Sequence, residues 1–544
     1  MLEIQSYQQA VDFLWSRINF ERIGHAPYTA THYRLDRMRA ILRYLDDPHL
    51  RYPVVHVAGT KGKGTVCTLV EAALRASGQR TGLYTSPHFH RLEERFRVGG
   101  KLPTPNEVVE LTRRVADAAD RVATDGGGKA TFFELTTAMG FLHFAVQQVD
   151  LAVIEVGLGG RLDSTNVCQP ECCVITSISY DHQRQLGTTL QKIAGEKAGI
   201  IKPGVPVITV ARAEEAREVI LDTAARQGAP ALLIGRDFDV RWQACPSSPA
   251  ALLPGALNHI RLWPCLPPPL ARLSVTRRQN GLAMQDGAGE ESLFSGDQPP
   301  AGKLVSVGAS ARSVDVEQHP TASPERHAST GFPADVETTW PSCMLGAHQA
   351  DNVAAAVAVL RLLADRGFTI DWHAAREAIA NTQPLGRLQV VGTSPLRIID
   401  NAHNVASIDA GMRAIDQHLH VTRESQPSLP HPMTVVFAAS RDKDYRDMLE
   451  RVLPACSELI VTQYRGSART LSAGELHKVA SEVAAQLARE GRAVAKLQLI
   501  SDPAAAWHYA VDHVPPQGVV YATGSFFFAA DLLTLIDESA AACW

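Results

Sequence analysis

Three features that would mark a special class of protein are missing from this sequence. Its 544 residues include 53 Lys or Arg and 57 Asp or Glu, so no charge excess marks a nucleic-acid or anionic-lipid binder. No apolar run reaches the roughly 18 residues of a membrane span, and charges interrupt the first twenty residues, unlike a signal peptide. The nine cysteines form no Cys-x-x-Cys pair. We expect a soluble cytoplasmic protein with reduced thiols, and neither nucleic acid nor membrane among its partners.

The sequence does contain the alternation typical of a parallel α/β domain. Short runs rich in Val and Ile alternate with amphipathic stretches of helix length, and their continuous hydrophobicity suits strands that helices cover on both faces. The runs are residues 53–58, 150–157, 172–179 and 205–210. They predict an α/β fold with a doubly wound parallel sheet in a first domain, residues 1–382.

A second series of strand-like runs predicts a smaller Rossmann-like α/β domain at residues 388–544, after a linker at 383–387. These runs are residues 396–402, 433–439, 458–463 and 518–524. Between the two series, residues 244–341 hold 13 of the 32 prolines and show little periodicity. We interpret this segment as an extended, partly disordered insertion.

The motif GTKGKGT at residues 59–65 lies between a predicted strand and a predicted helix. This is the setting of a phosphate-binding loop (P-loop), in which backbone amides and a helix N-terminus face an oligophosphate and a lysine adds charge. Lys63 is the candidate lysine. Because Gly64 separates Lys63 from Thr65, the strict P-loop pattern fails, and a glycine-rich turn without a ligand stays open as an alternative.

Three side chains that could bind a divalent cation follow predicted strands. Ser86, Glu155 and His182 would meet at the carboxyl edge of the sheet, where open α/β folds bind their ligands. Each of them alone is more often an ordinary surface or paired residue. Lys197, fifteen residues after His182, has the spacing of an ordinary helix lysine.

A series of motifs resembles the folylpolyglutamate synthase and dihydrofolate synthase family of the Mur ligase superfamily. The resemblance covers nearly the whole chain outside residues 244–341. Its motifs are HVAGTKGKGT (56–65), TSPHFHRLEERFRVGG (85–100), TFFELTT (131–137), EVGLGGRLDSTN (155–166), the stretch 181–206, GAHQADN (346–352), LGR (385–387), DNAHN (400–404), DKD (442–444) and TGSF (523–526).

The resemblance implies a role for each matching residue. The ATP loop would comprise Gly59, Thr60, Lys61, Gly62, Lys63, Gly64 and Thr65. Magnesium would be held by Ser86, Glu155 and His182, with Lys197, if carbamylated, helping to hold a second ion. Asn352 would contact the adenine side, Arg387 the γ-phosphate, and Asp400 and His403 would complete the nucleotide site, so that Lys63, Lys197, Arg387 and His403 form the catalytic set. Asp163 would recognise a pterin ring.

The implied activity is ATP-dependent, ADP-forming addition of L-glutamate to dihydropteroate, to tetrahydrofolates, or to both, through an acyl phosphate. One or two Mg²⁺ ions would assist, K⁺ is a further candidate cofactor, and a monomer is expected. Lys61 departs from the family pattern, in which Asn is usual, and adds a positive charge beside the phosphates.

Two other functions are alternatives. A peptidoglycan-precursor ligase of the same superfamily would need a further domain before the loop, and only 58 residues precede Gly59. A non-catalytic ATP-binding switch would be expected to lack some of the phosphate and metal ligands, which are all present here.

Overall fold

The computed structural model describes residues 4–19, 35–243, 258–264, 338–425, 432–465 and 469–541. The first domain is built on a seven-stranded sheet with the order β3-β2-β4-β1-β5-β6-β7, in which only β3 is antiparallel. These strands are β1 (Val54–Ala58), β2 (Thr81–Tyr84), β3 (Phe96–Val98), β4 (Leu151–Glu155), β5 (Cys172–Ile175), β6 (Val207–Thr209) and β7 (Ala231–Leu233). The predicted fold class is therefore confirmed for this domain.

Ten helices belong to the described part of the first domain. They are α1 (Tyr7–Trp15), α2 (Leu35–Tyr44), α3 (Lys63–Ala76), α4 (Pro105–Val122), α5 (Phe132–Val146), α6 (Gln183–Leu186), α7 (Leu190–Ala198), α8 (Glu214–Arg226), α9 (His348–Asp365) and α10 (Trp372–Asn381). Short 3-10 turns lie at Pro48–Leu50, Leu92–Arg95 and Ser164–Val167, and a π-turn lies at Ala123–Gly127.

Helices cover both faces of this sheet because its strands are apolar on both sides. Val54 and Ile154 pack into a core with α1, α2, α4 and α5. The alternate residues Val55 and Val153 pack on the opposite face with α3 and α9. Successive strand residues point to opposite faces, so continuous Val and Ile runs serve both cores. This is the doubly wound arrangement.

A small antiparallel sheet adjoins the first domain. Its strands β8 (Phe238–Gln243), β9 (Asn258–Pro264) and β10 (Thr338–Ser342) have the order β10-β9-β8. The strand β9 and all but the last residue of β10 fall within residues 244–341, where the sequence pattern predicted no strand, and Trp340 of β10 is buried. Residues 244–257 and 265–337, on which the prediction of disorder mainly rests, lie outside the described residues.

The second domain has a six-stranded sheet with the order β11-β12-β16-β13-β14-β15, parallel except for β11. Its strands are β11 (Gln389–Thr393), β12 (Leu396–Ile399), β13 (Met433–Phe437), β14 (Glu458–Val461), β15 (Lys496–Leu499) and β16 (Val519–Thr523). Its helices are α11 (Val405–Ser425), α12 (Tyr445–Val452), α13 (Ala473–Arg489), α14 (Pro503–His513) and α15 (Phe526–Ala541), with a 3-10 turn at Leu453–Ala455. The predicted second α/β fold is confirmed.

Among the described residues, no helix combines the length and apolar character needed to cross a bilayer.

Candidate active site

The loop at residues 59–65 connects β1 to α3, as the sequence predicts, and Lys63 is the first residue of α3. Gly62 caps this helix in a left-handed conformation with φ of 88°. A Cβ atom at Gly62 would overlap Oδ1 of Asn352. Glycine is therefore required at this position both for backbone conformation and for space.

The loop is tied to the segment that follows β5. The Thr60 amide donates to the Ser177 carbonyl (2.7 Å), and the Thr176 hydroxyl donates to the Lys61 carbonyl (2.6 Å). The Lys61 amide donates to Oγ of Ser177 (3.3 Å). Thr176 and Ser177 are not among the site residues predicted from the sequence. The signal available was a pair of hydroxyl residues directly after a strand that neighbours β1.

Gly62→Ala is expected to destabilise the protein more than Gly78→Ala. Both glycines have φ of 88°, but a Cβ at Gly78 would have no atom within 4 Å. Both substitutions therefore carry the same backbone strain. The additional loss in the free energy of unfolding of Gly62→Ala, about 1–3 kcal/mol, measures the collision with Asn352. Urea unfolding of the two variants without nucleotide tests this, and equal losses in the free energy of unfolding would contradict the close approach.

Lys61 forms an ion pair within the first domain. Its Nζ lies 3.3 Å from Oδ2 of Asp181, next to His182. Desolvation lowers the pKa of the Lys61 ammonium, although Asp181 opposes this effect. Desolvation would also raise the pKa of Asp181, but Lys61 and the other nearby cations hold it well below its ordinary range. Asp181 is therefore ionised at neutral pH and neutralises one of the loop's cations.

Lys197, on α7, is buried beneath the loop with 4% exposure, and its Nζ donates to the Gly59 carbonyl at 2.8 Å. Desolvation, followed by the charge of Lys63, lowers the pKa of Lys197 to about 7. A large fraction of this amine is therefore neutral near pH 7. This is unlike the ordinary solvated helix lysine that was the alternative from sequence.

Glu155 ends β4 with 3% exposure, and its Oε2 accepts the Ser86 amide proton at 3.2 Å. Burial raises its pKa, while Lys63 and Arg387 oppose that rise. A Cβ placed on Gly64 would lie 3.3 Å from Glu155 Oε2 and 3.6 Å from Arg387 Nη2. Glu155 from the first domain and Arg387 from the predicted linker thus converge on the start of α3.

Two of the predicted cation ligands, Ser86 and Glu155, are in contact. Ser86 and Glu155 are adjacent and offer the hard oxygen donors that Mg²⁺ prefers, so these two residues fit the ion. His182 lies at an exposed position with φ of 49°, and its Nε2 is 3.9 Å from Oδ1 of Asp181. Across the described ranges, no three or more His, Cys, Asp or Glu side chains form a group that could hold a metal ion.

The second domain brings Asp400 and His403 toward the cleft. Asp400 is buried, and its carboxylate accepts the Tyr521 hydroxyl (2.9 Å) and the Leu388 amide (3.2 Å); burial raises its pKa. The His403 Nδ1–H donates to the Asn401 carbonyl at 2.8 Å. Desolvation, followed by the charge of Lys61, lowers the pKa of His403 to about 3, which keeps the imidazole neutral.

Asn352 borders the loop at residues 59–65, whereas Asp163 caps a separate turn. The Asn352 amide donates to Gln349 (2.8 Å) and faces Gly62, so it borders the loop. Asp163 is buried as the cap of the turn at Ser164–Val167. Its carboxylate accepts the Thr165 amide (3.0 Å), the Thr165 hydroxyl (2.5 Å) and the Leu158 amide (2.9 Å). Its role in pterin recognition stays a prediction.

This fold and this loop define a ligase of the Mur type. The chain matches the family model "Mur ligase middle domain" over residues 57–244 and the model "Mur ligase, glutamate ligase domain" over residues 386–526. The second match begins at residue 386, within the predicted linker, whereas the first ends at residue 244. Arg387 lies at the beginning of the second match and Lys63 near the beginning of the first.

The chain belongs to the dihydrofolate synthase/folylpolyglutamate synthase family. It is 30% identical over 530 residues to the dihydrofolate synthase/folylpolyglutamate synthase of Mycobacterium tuberculosis, covering 94% of this chain and 91% of that one. It is 28% identical over 449 residues to the Bacillus subtilis protein of the same name, covering 82% and 83%.

Solved structures share the fold. The Mycobacterium tuberculosis folylpolyglutamate synthase complexed with ADP and AMPPCP superposes with a TM-score of 0.69 at 25% identity, over 97% of this chain and 98% of that one. The Thermotoga maritima folylpolyglutamate synthase gives a TM-score of 0.67 at 24% identity, over 98% and 97%. The family resemblance drawn from the motifs is confirmed.

Proposed function

We propose that this protein is an ATP-dependent ligase that adds L-glutamate to dihydropteroate, to tetrahydrofolates, or to both. The observation that carries the proposal is the convergence of Glu155 from the first domain and Arg387 from the linker on Gly64, beside Lys63. The shared name of the Mycobacterium and Bacillus relatives supports both acceptors.

In the first step, a carboxylate oxygen of the acceptor attacks the γ-phosphorus of ATP, and ADP leaves with the electrons of the broken P–O bond. Negative charge accumulates on the transferred phosphoryl group. Lys63 at the start of α3 and Arg387 opposite it are placed to offset this charge, with the α3 N-terminus facing the same side.

In the second step, the glutamate amine attacks the carbonyl carbon of the acyl phosphate. An amide forms, inorganic phosphate leaves, and the amine gives up a proton. Since ATP would contact both domains, their approach encloses the acyl phosphate and excludes water that would hydrolyse it.

Ser86 and Glu155 are the residues proposed to hold Mg²⁺, with His182 as a further ligand. A bound Mg²⁺ would supply electrostatic stabilisation of the phosphoryl oxygens. Lys197, after reaction of its neutral amine with CO₂, would carry a carbamate that could help to hold a second ion. K⁺ binding, a monomeric state and a cytoplasmic location remain predictions.

The decisive experiment measures ADP release with dihydropteroate and with tetrahydrofolate side by side, each with and without L-glutamate. We expect release that requires both an acceptor and glutamate. ADP release without either substrate would favour the ATP-binding switch. A third arm uses an amino-sugar peptide as the acceptor, and activity in that arm alone would favour the peptidoglycan-precursor ligase.

A further inference from the structure

The segment at residues 86–91 carries Ser86 at one end and is held in a fixed backbone conformation at the other. The carboxylate of Glu94 accepts the amides of Phe89 (2.7 Å), His90 (3.0 Å) and Arg91 (3.0 Å). Glu94 itself is buried, with 8% exposure. Three amides on one buried carboxylate leave this segment little freedom to move relative to the first domain.

Phe89 extends from this segment into the second domain. Its ring packs against that domain's apolar cluster around α14 and α15, and its centroid lies 4.4 Å from that of Phe526. The ring also contacts the linker: a Cβ on Gly386 would lie 2.8 Å from Phe89 Cε1 and Cζ, and 3.8 Å from the Cβ of Ala529 in α15. Phe89 therefore fills the space between the linker and α15.

A hydrogen bond accompanies this contact. His90 Nε2 lies 2.8 Å from the carbonyl oxygen of Ala530 in α15, and since a carbonyl only accepts, Nε2 carries the proton. The residue next to Gly386 is Arg387, whose guanidinium lies near Gly64 and Glu155. The Phe89 contact and the Arg387 contact are thus adjacent along the linker.

We propose that Phe89 is a positioning residue for Arg387: by filling the space beside Gly386, it holds the guanidinium at the distance from the loop that a terminal phosphate requires. This inference rests on the proposed ATP site. Phe89 itself contacts neither the loop nor, in this proposal, the nucleotide. Its effect passes through the linker backbone.

The test compares equilibrium binding of two nucleotides, ADP and the ATP analogue AMPPCP, which has a terminal phosphoryl group that ADP lacks. We expect Arg387→Ala to weaken AMPPCP binding by about 10–100-fold, which is the typical effect of losing a hydrogen bond to a charged group. Phe89→Ala should weaken AMPPCP about tenfold while changing ADP less than about twofold. The double variant should bind AMPPCP no more weakly than Arg387→Ala alone, because both changes remove one interaction.

Matched variants separate positioning from general damage. Phe89→Leu keeps most of the side-chain volume and should restore most of the AMPPCP affinity, whereas Phe526→Ala removes the other side of the contact and should resemble Phe89→Ala. Phe368→Ala alters a partly buried aromatic in the core of the first domain and should affect neither ligand selectively.

Four results would overturn the proposal. Additive losses in the double variant would show that Phe89 acts independently of Arg387. An equal loss of ADP and AMPPCP in Phe89→Ala would show a merely structural role. If the unaltered protein bound neither nucleotide, both the proposed ATP site and this inference would be wrong. If the unaltered protein bound both nucleotides and Phe89→Ala lost no AMPPCP affinity selectively, only this inference would be wrong.

Discussion

Lys63→Ala is expected to lower glutamate-dependent ADP release by about 10²–10³-fold, as loss of one preorganised electrostatic group typically does. Lys63 is the first residue of α3, so its charge adds to the positive end of the helix. The variant should fold normally, because the Gly62 cap and the ties from Thr176 and Ser177 do not involve this side chain.

The matched control is Lys478→Ala, which removes an exposed lysine from α13. Its turnover should stay within about twofold of the unaltered protein, as for other surface changes away from special features. Steady-state ADP release at saturating ATP checks both variants. Near-normal turnover of Lys63→Ala would remove Lys63 from the mechanism.

Lys197→Ala is expected to lower turnover by about 10–100-fold, the typical cost of losing a group that supports a metal site. Short carboxylates such as acetate should restore part of the activity, because they can supply the anionic oxygens that a carbamate would provide. Lys63→Ala, which loses a cation, should gain nothing from acetate.

The lowered pKa of Lys197 sets the pH dependence of this modification. Its pKa is about 7, so the neutral amine that reacts with CO₂ becomes the major form as pH rises through 7 and declines below it. Carbon-13 NMR after equilibration with labelled bicarbonate should detect the carbamate and show it increase with pH over that range. A fully active preparation with an unmodified, titrating Lys197 would exclude the carbamate.

Much of the fold could be predicted because its main strands are buried on both faces. The Val and Ile runs of β1, β4 and β5 are nearly continuous, and the glycines between β1 and α3 mark the phosphate loop. The strands β3 and β15 escaped prediction because they are short and lie at sheet edges. The strands β9 and β10 escaped because proline-rich sequence surrounds them.

The site was less predictable, because its contacts join residues far apart in the chain. Nothing local indicates that Lys197 donates to the Gly59 carbonyl or that Lys61 pairs with Asp181. Phe89 lies in a motif that was noted only for its resemblance, and its partner Phe526 is in the other domain. Such pairings depend on tertiary packing within and between the domains, which periodicity does not encode.

The antiparallel ladder of β9 and β10 has a practical consequence for engineering. Thr338 is paired with Leu262, two residues before β9 ends, so the end of β9 and the start of β10 lie side by side. A short hairpin turn could therefore replace residues 265–337 without stretching either strand. The same junction is a natural place to splice in a reporter or an affinity handle, since the grafted termini would already be side by side.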